Sequence, residues 1–307
     1  MKPITTLAAT SLAFIATLSM AQLPPGVTMD MINTTLPEEG APRAEPGPYA
    51  VTSGPAFGND GLVVFRPADL AAFPKRDTLP VVIWGNGGCA LNVGRAAGFL
   101  ETIASHGFLV ISTAAGPQAA APPAGAAQPG AVRRSATAQD LAAGISWMQA
   151  ESQRAGSPLA DKIATRQVAV MGQSCGGKLA IELGADSRVG TIGVFNSGAQ
   201  PGEYDQLAKL HGPVLFINGG ERDFTMAMSK ASFEAIDKLP EFYGSRHGAG
   251  HTATMNHPGG GEWANVAWNW VMWQFKADRK SAAMFVGKKC GLCTNANWDV
   301  EQRRLGK

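Results

Sequence analysis

Short, nearly continuous apolar runs alternate along this chain with longer stretches whose apolar positions recur at helical spacing. Residues 79–84, 108–112, 167–171, 190–195 and 213–218 are the main runs, built largely on Val, Ile, Leu and Phe. Such runs read as strands buried on both faces, as a parallel sheet requires. Residues 241–244 read as the last strand, and 49–52 and 61–66 as early antiparallel edge strands. Between the runs, 94–106 places Ala97, Phe99, Leu100 and Ile103 on one helical face. The stretch 135–155 does the same with Leu141, Ile145, Trp147 and Met148, and Ser135 or Thr137 can cap it. Helices are also expected over 178–183, 226–239 and 262–276. The last carries Trp263, Trp268, Trp270, Trp273 and Phe275, a spacing that predicts core packing. Strands alternating with helices predict an α/β fold, a mostly parallel central sheet with helices on both faces.

The two ends of the chain break this rhythm. Met1-Lys2, an apolar stretch over 7–18 and the small residues Ser19 and Ala21 predict a signal peptide over 1–21, cleaved after Ala21. Residues 22–48 are rich in Pro and Gly without a period, and read as an extended arm on the surface. Residues 49–307 then form one α/β domain ending in a Cys-x-x-Cys tail. The Ala-, Gly-, Pro- and Gln-rich stretch 114–132 reads as a loop. No internal repeat is evident, and no later segment reads as a membrane span. The expected location is the periplasm or the extracellular space.

Charge changes the picture little. The formal charge of +2 falls to +1 once Lys2 is removed, which gives no reason to expect nucleic acid as a partner. Arg133, Arg134, Arg222 and Arg246 could face an acidic substrate, but read mainly as solvated surface.

Chemistry enters at Gly172-Gln173-Ser174-Cys175-Gly176-Gly177, between an expected strand and an expected helix. Strand, Gly-x-Ser-x-Gly and helix is the setting of a nucleophile elbow: the glycines admit a sharp reversal, and Ser174 projects at a helix N-terminus that favours negative charge. A serine hydroxyl needs a base, and the base needs an acid to orient it. In such a fold the order is Ser, acid, His. The acid should follow the strand ending at Asn218, where Glu221 and Asp223 stand. Asp223, with more loop behind it, is the choice, although it also suits the N-cap of the next helix. The base should follow the last strand, where His247, His251 and His257 all lie. His251, in a loop of small residues, is preferred over His257, which precedes a proline and can touch substrate or cap the glycine turn 259–261. His106 and His211 come too early and suit helix ends. The oxyanion hole would use the Cys175 N–H and one from Asn86 or Gly87, in the glycine-rich loop 85–88 after the third strand. Such donors are worth about 2.7–4 kcal/mol each in the transition state.

The same two loops carry Cys89 and Cys175, so the fold should join them as a disulfide; a buried free thiol at Cys175 is the alternative. Cys290 would then pair with Cys293. Their spacing also suits a redox or zinc motif, but no second ligand pair or βαβ context accompanies it.

The donor loop Trp84-Gly85-Asn86-Gly87-Gly88-Cys89, the elbow and Gly250-His251 resemble the α/β-hydrolase superfamily over about residues 60–277, in particular secreted hydrolases related to cutinases and polyester depolymerases. More narrowly, the chain resembles bacterial endo-acting poly(aspartic acid) hydrolases. That resemblance implies an α/β-hydrolase fold and a triad of Ser174, Asp223 and His251. It implies an exported serine hydrolase that cuts β-linked amide bonds in poly(aspartic acid) through an acyl-enzyme, needing no metal or organic cofactor. The expected partner is a polymeric or small acyl substrate, including a polyanionic one. A polyester or carboxylic-ester hydrolase is the alternative, and an inactive hydrolase-fold binding protein is the alternative from another class.

Overall fold

The computed structural model describes residues 26–115 and 134–306. The expected signal peptide, the start of the arm and most of the low-complexity loop lie outside these residues. In chain order the elements are α1 (Met29–Ile32), β1 (Val51–Ala56), β2 (Asn59–Pro67), β3 (Leu79–Gly85), α2 (Ala97–Ser105), β4 (Leu109–Thr113), α3 (Ala138–Gln153), β5 (Ile163–Gln173), α4 (Cys175–Leu183), β6 (Thr191–Phe195), β7 (Val214–Asn218), α5 (Met226–Glu234), β8 (Glu241–Arg246), α6 (Gly261–Lys276), α7 (Arg279–Ala282) and β9 (Trp298–Arg303). The protein is α/β, and its described residues form a nine-stranded sheet in the order β1-β2-β4-β3-β5-β6-β7-β8-β9. β4, β3, β5, β6, β7 and β8 run parallel; β1, β2 and β9 are antiparallel at the two edges.

The near-continuous apolar runs have a plain cause. Val81 and Ile83 of β3 face one core with Leu141, Ile145 and Ile181, while Val82 and Trp84 face a second core with Phe99, Ile103, Trp263 and Trp270. Both sheet faces are covered, so neither set of alternating positions is left to water. The tryptophan series of α6 is core, with Trp263 and Trp270 fully buried. Thr137 caps α3 and forms a capping box with Asp140.

Three expectations change. The sheet does not end at β8: β9, from the tail, pairs antiparallel with it over Glu241–Arg246. Asp299, Glu301, Gln302 and Arg303 made this edge strand read as solvated tail, and polar residues are what an exposed edge carries. α5 stops at Glu234 rather than near Leu239: the Arg303 guanidinium of β9 takes the Phe233 and Glu234 carbonyls at 3.3 and 3.5 Å, satisfying the helix's last acceptors. Arg246 is not solvated surface: it is buried and paired with Glu262 at 3.0 Å. Of the other arginines, Arg133 lies outside the described residues, Arg134 is exposed and pairs with Asp140, and Arg222 is exposed. Among the described residues no helix is long and apolar enough to cross a membrane.

Candidate active site

β5 ends at Gln173 and α4 begins at Cys175, leaving Ser174 to make the reversal at φ +55° and ψ −124°. A non-glycine residue there costs about 1–3 kcal/mol and persists only where its surroundings enforce it. Here the Ser174 N–H donates to Phe195 O (2.9 Å), and Ser174 O accepts from Gly177 N (2.9 Å). A Cβ on Gly172 would run into the Gly176 carbonyl, and one on Gly176 into the Gly85 carbonyl. Three backbones meet at these glycines, and only hydrogen side chains admit the approach. Ser174 is half-exposed at the N-terminus of α4.

His251 and Asp223 converge on it from two further strand ends. His251 Nε2 lies 2.9 Å from Ser174 Oγ, and His251 Nδ1 lies 2.9 Å from Asp223 Oδ1. With the proton on Nδ1, the imidazole donates to the carboxylate and accepts from the hydroxyl. Both His251 and Asp223 are buried, and the half-exposed Phe224 ring lies over the imidazole with centroids 4.2 Å apart. Burial pushes the Asp223 carboxyl up, but hydrogen bonds and charge from His251, the Thr225 N–H and the Asn196 amide outweigh it and hold the group below the usual carboxylate range.

No known family model matches the chain, and no curated protein matches it in sequence.

The remaining candidates sort by position. The donor loop packs on the elbow, with Cys89 and Cys175 joined by a disulfide at a Cα–Cα distance of 5.1 Å. The Cys175 N–H has no hydrogen-bond acceptor among the described residues. Asn86 is buried, and its side chain faces inward: its amide donates to Ala90 O and Thr113 Oγ1, both at 3.1 Å. This ties the loop to β4. Gly87 is half-exposed and packs on the Gln173 side chain, whose amide donates to His251 O at 3.0 Å. Gln173 therefore links the donor loop to the histidine loop. Cys290 and Cys293 form the second disulfide, remote in sequence from these loops.

The other histidines are engaged elsewhere. His247 Nε2 meets Asp299 of β9 at 2.9 Å, and His257 Nε2 donates to Leu36 O at 2.7 Å. His257 is also the N-cap residue of the 3-10 turn Pro258–Gly260, without a side-chain capping bond. His106 closes α2 and stacks on Trp268 with centroids 3.9 Å apart; His211 lies 3.1 Å from Ala185 O. Asp223 does not cap α5, whose N-cap position is held by Thr225. Glu221 is exposed and accepts from Gly248 N at 3.3 Å. Among the described residues no group of three or more His, Cys, Asp or Glu is arranged to hold a metal ion.

Sequence reasoning missed Asn196. It sits directly after β6 at φ +48°, fully buried. Its amide donates to Asp223 Oδ2 (2.8 Å) and Gly250 O (3.2 Å), and its Oδ1 accepts from Trp263 Nε1 (2.9 Å). The available signal was a polar residue closing the apolar run beside the elbow strand, where parallel-sheet sites gather.

Proposed function

We propose that this protein is an exported serine hydrolase of the α/β-hydrolase superfamily. The observation that carries the reading is the Ser174–His251–Asp223 relay, with both links at 2.9 Å, built on a strained serine at a helix N-terminus. In the reaction, Ser174 Oγ attacks the substrate carbonyl carbon while His251 Nε2 takes the hydroxyl proton. Asp223 holds the imidazole in the required tautomer and stabilises the imidazolium. The oxyanion faces the Cys175 N–H and a backbone N–H of Asn86 or Gly87 in the 85–88 loop. Collapse breaks the bond to the leaving group, which receives the proton from His251. Water then attacks the acyl-enzyme, His251 takes its proton, and release of the acid restores Ser174.

The substrate class follows from the resemblance: β-linked amide bonds in poly(aspartic acid). Lys178, half-exposed one turn along α4 from Ser174, is a nearby cation, paired in the free protein with Glu203 at 3.5 Å. A second reading, ester hydrolysis, draws support from the half-exposed Phe224 beside His251, which offers an apolar edge to an acyl chain. A fluorophosphonate probe should label Ser174, and Ser174→Ala should abolish the label. A folded protein that takes no label is not a serine hydrolase. Incubation with poly(aspartic acid), polyhydroxybutyrate and nitrophenyl esters then separates the substrates. Shortening of the polyaspartate is expected; rapid ester cleavage without it would establish the second reading.

A further inference from the structure

The loop that carries His251 is held from outside by the arm that precedes the sheet. Thr34 O accepts from both the Thr252 N–H and the Thr252 hydroxyl, each at 2.9 Å. The Leu36 N–H donates to Ala253 O at 3.0 Å, the Thr35 hydroxyl donates to the same oxygen, and Thr35 and Ala253 form a parallel bridge. His257 closes the arrangement by donating from Nε2 to Leu36 O at 2.7 Å.

Two features show that the loop depends on this contact. Ala253 has φ +46°, a conformation that costs a non-glycine residue about 1–3 kcal/mol and persists only where its surroundings enforce it. Its carbonyl is the one the arm grips. Gly250, at φ +75°, is pinched between two elements. Its N–H donates to Gly219 O at 2.8 Å, and a Cβ there would collide with the Thr34 side chain. The loop carbonyls are also accounted for. Gly250 O goes to Asn196, His251 O to Gln173, Thr252 O to Met255 N, and Ala253 O to the arm. The site's own elements grip the loop up to His251; beyond it, the arm holds Thr252 and Ala253, and Thr254 is tied to Gly260 and the first turn of α6.

We propose that Thr34–Leu36, locked by His257, is a positioning strap that holds the His251 imidazole in line with Ser174 and Asp223. The proposal rests on the serine-hydrolase reading. The strap touches no reacting atom. It fixes the backbone on the far side of His251, so that the imidazole's two contacts are met together. Misplacing a reacting group by about 1 Å can cost about a hundredfold in rate. Loosening the strap should therefore lower kcat and leave KM nearly unchanged, because none of its hydrogen bonds involves Ser174 or the 85–88 loop.

The decisive comparison is His257→Ala against His257→Gln in the otherwise native chain, since glutamine can present an N–H near the position of Nε2. With 4-nitrophenyl butyrate, His257→Ala is expected to lose about ten- to a hundredfold in kcat with KM within about threefold, and to slow fluorophosphonate labelling of Ser174 in parallel. His257→Gln should recover most of both. The strap is overturned if folded His257→Ala labels and turns over at the wild-type rate, or if His257→Gln melts like wild type yet is as slow as the alanine variant. Should His257→Ala not fold, Thr35→Val, which removes only the hydroxyl contact, takes its place; a kcat loss supports the strap and an unchanged kcat overturns it. Wild-type protein that takes no label at Ser174 overturns the hydrolase reading itself, and the strap with it.

Discussion

A buried carboxylate is costly unless donors surround it, and at Asp223 they do. Oδ1 accepts from His251 Nδ1, Thr225 N and Thr225 Oγ1, and Oδ2 from Asn196 Nδ2 and Gly219 N. The net effect is a carboxyl held below its usual range, hence ionised wherever an ordinary histidine titrates, near pH 6.5. The sign follows: this group's contribution to stability is present above the ordinary carboxyl value and lost only as pH falls through the depressed one. Asn196→Ala removes one donor from Oδ2 and the acceptor of Trp263 Nε1, both in buried surroundings. It should cost about 1–3 kcal/mol in stability and lower kcat, as read by thermal unfolding and nitrophenyl-ester hydrolysis. Asn196→Asp should be worse, because it sets a second carboxylate beside Asp223. An Asn196→Ala variant with wild-type melting and rate would remove Asn196 from any role in holding the acid.

The two disulfides differ at the scale of elements. Cys89–Cys175 spans 86 residues and joins the loop after β3 to the first turn of α4; Cys290–Cys293 spans three within the tail. On the chain-entropy account the first restricts the unfolded chain by about 4–5 kcal/mol and the second by about 2 kcal/mol, with measured effects commonly smaller. The first also fixes the donor loop against the Cys175 N–H. Replacing both Cys89 and Cys175 by Ala should lower the melting temperature and slow Ser174 labelling. Replacing both Cys290 and Cys293 by Ser should leave labelling unchanged. Equal labelling rates in the two double variants would show that the first bridge does no more than stabilise. Much of this was open to sequence reasoning because close packing forces small residues: Gly85, Gly87, Gly172 and Gly176 stand out for that reason. Asp223 and His251 could be placed because parallel strands deliver their loops to one edge. Asn196 could not, since one asparagine after an apolar run looks like any strand end. Nor could the arm's role be read, because Thr34–Leu36 acts mainly through its backbone, which no side-chain pattern reports. β9 stayed hidden because an edge strand carries the polarity of a tail.

The far edge of the sheet couples the whole molecule to the histidine loop. β8 leads directly into that loop, and β9 holds β8 in place through backbone pairing. Glu262 of α6 ties the two strands together, pairing with Arg246 of β8 at 3.0 Å and accepting from the Trp298 indole of β9 at 2.9 Å. At the start of β8, Glu241 is fully buried. Its Oε1 lies 3.5 Å from Arg303 Nη1 and 3.7 Å from Arg304 Nη1, and its Oε2 has no partner among the described residues. Burial pushes its carboxyl up to about 7, the two arginines offsetting only part of the cost. Below the ordinary value of 4.5 both folded and unfolded chains are protonated here, and Glu241 contributes no pH dependence. Between there and about 7 the unfolded chain ionises while the folded one does not, so stability falls as pH rises; above about 7 the loss is constant. A shift of this size corresponds to an upper bound of about 3 kcal/mol. Glu241→Gln removes the titration and keeps the shape. It should melt several degrees above wild type at pH 8 and close to wild type at pH 4.5, flattening the curve between them. A variant that melts below wild type at pH 8 would show that the ion pairs with Arg303 and Arg304 outweigh the cost of burial. β9 would then be held to the sheet by charge, and the edge that leads to His251 would gain stability from the same carboxylate that is here expected to weaken it.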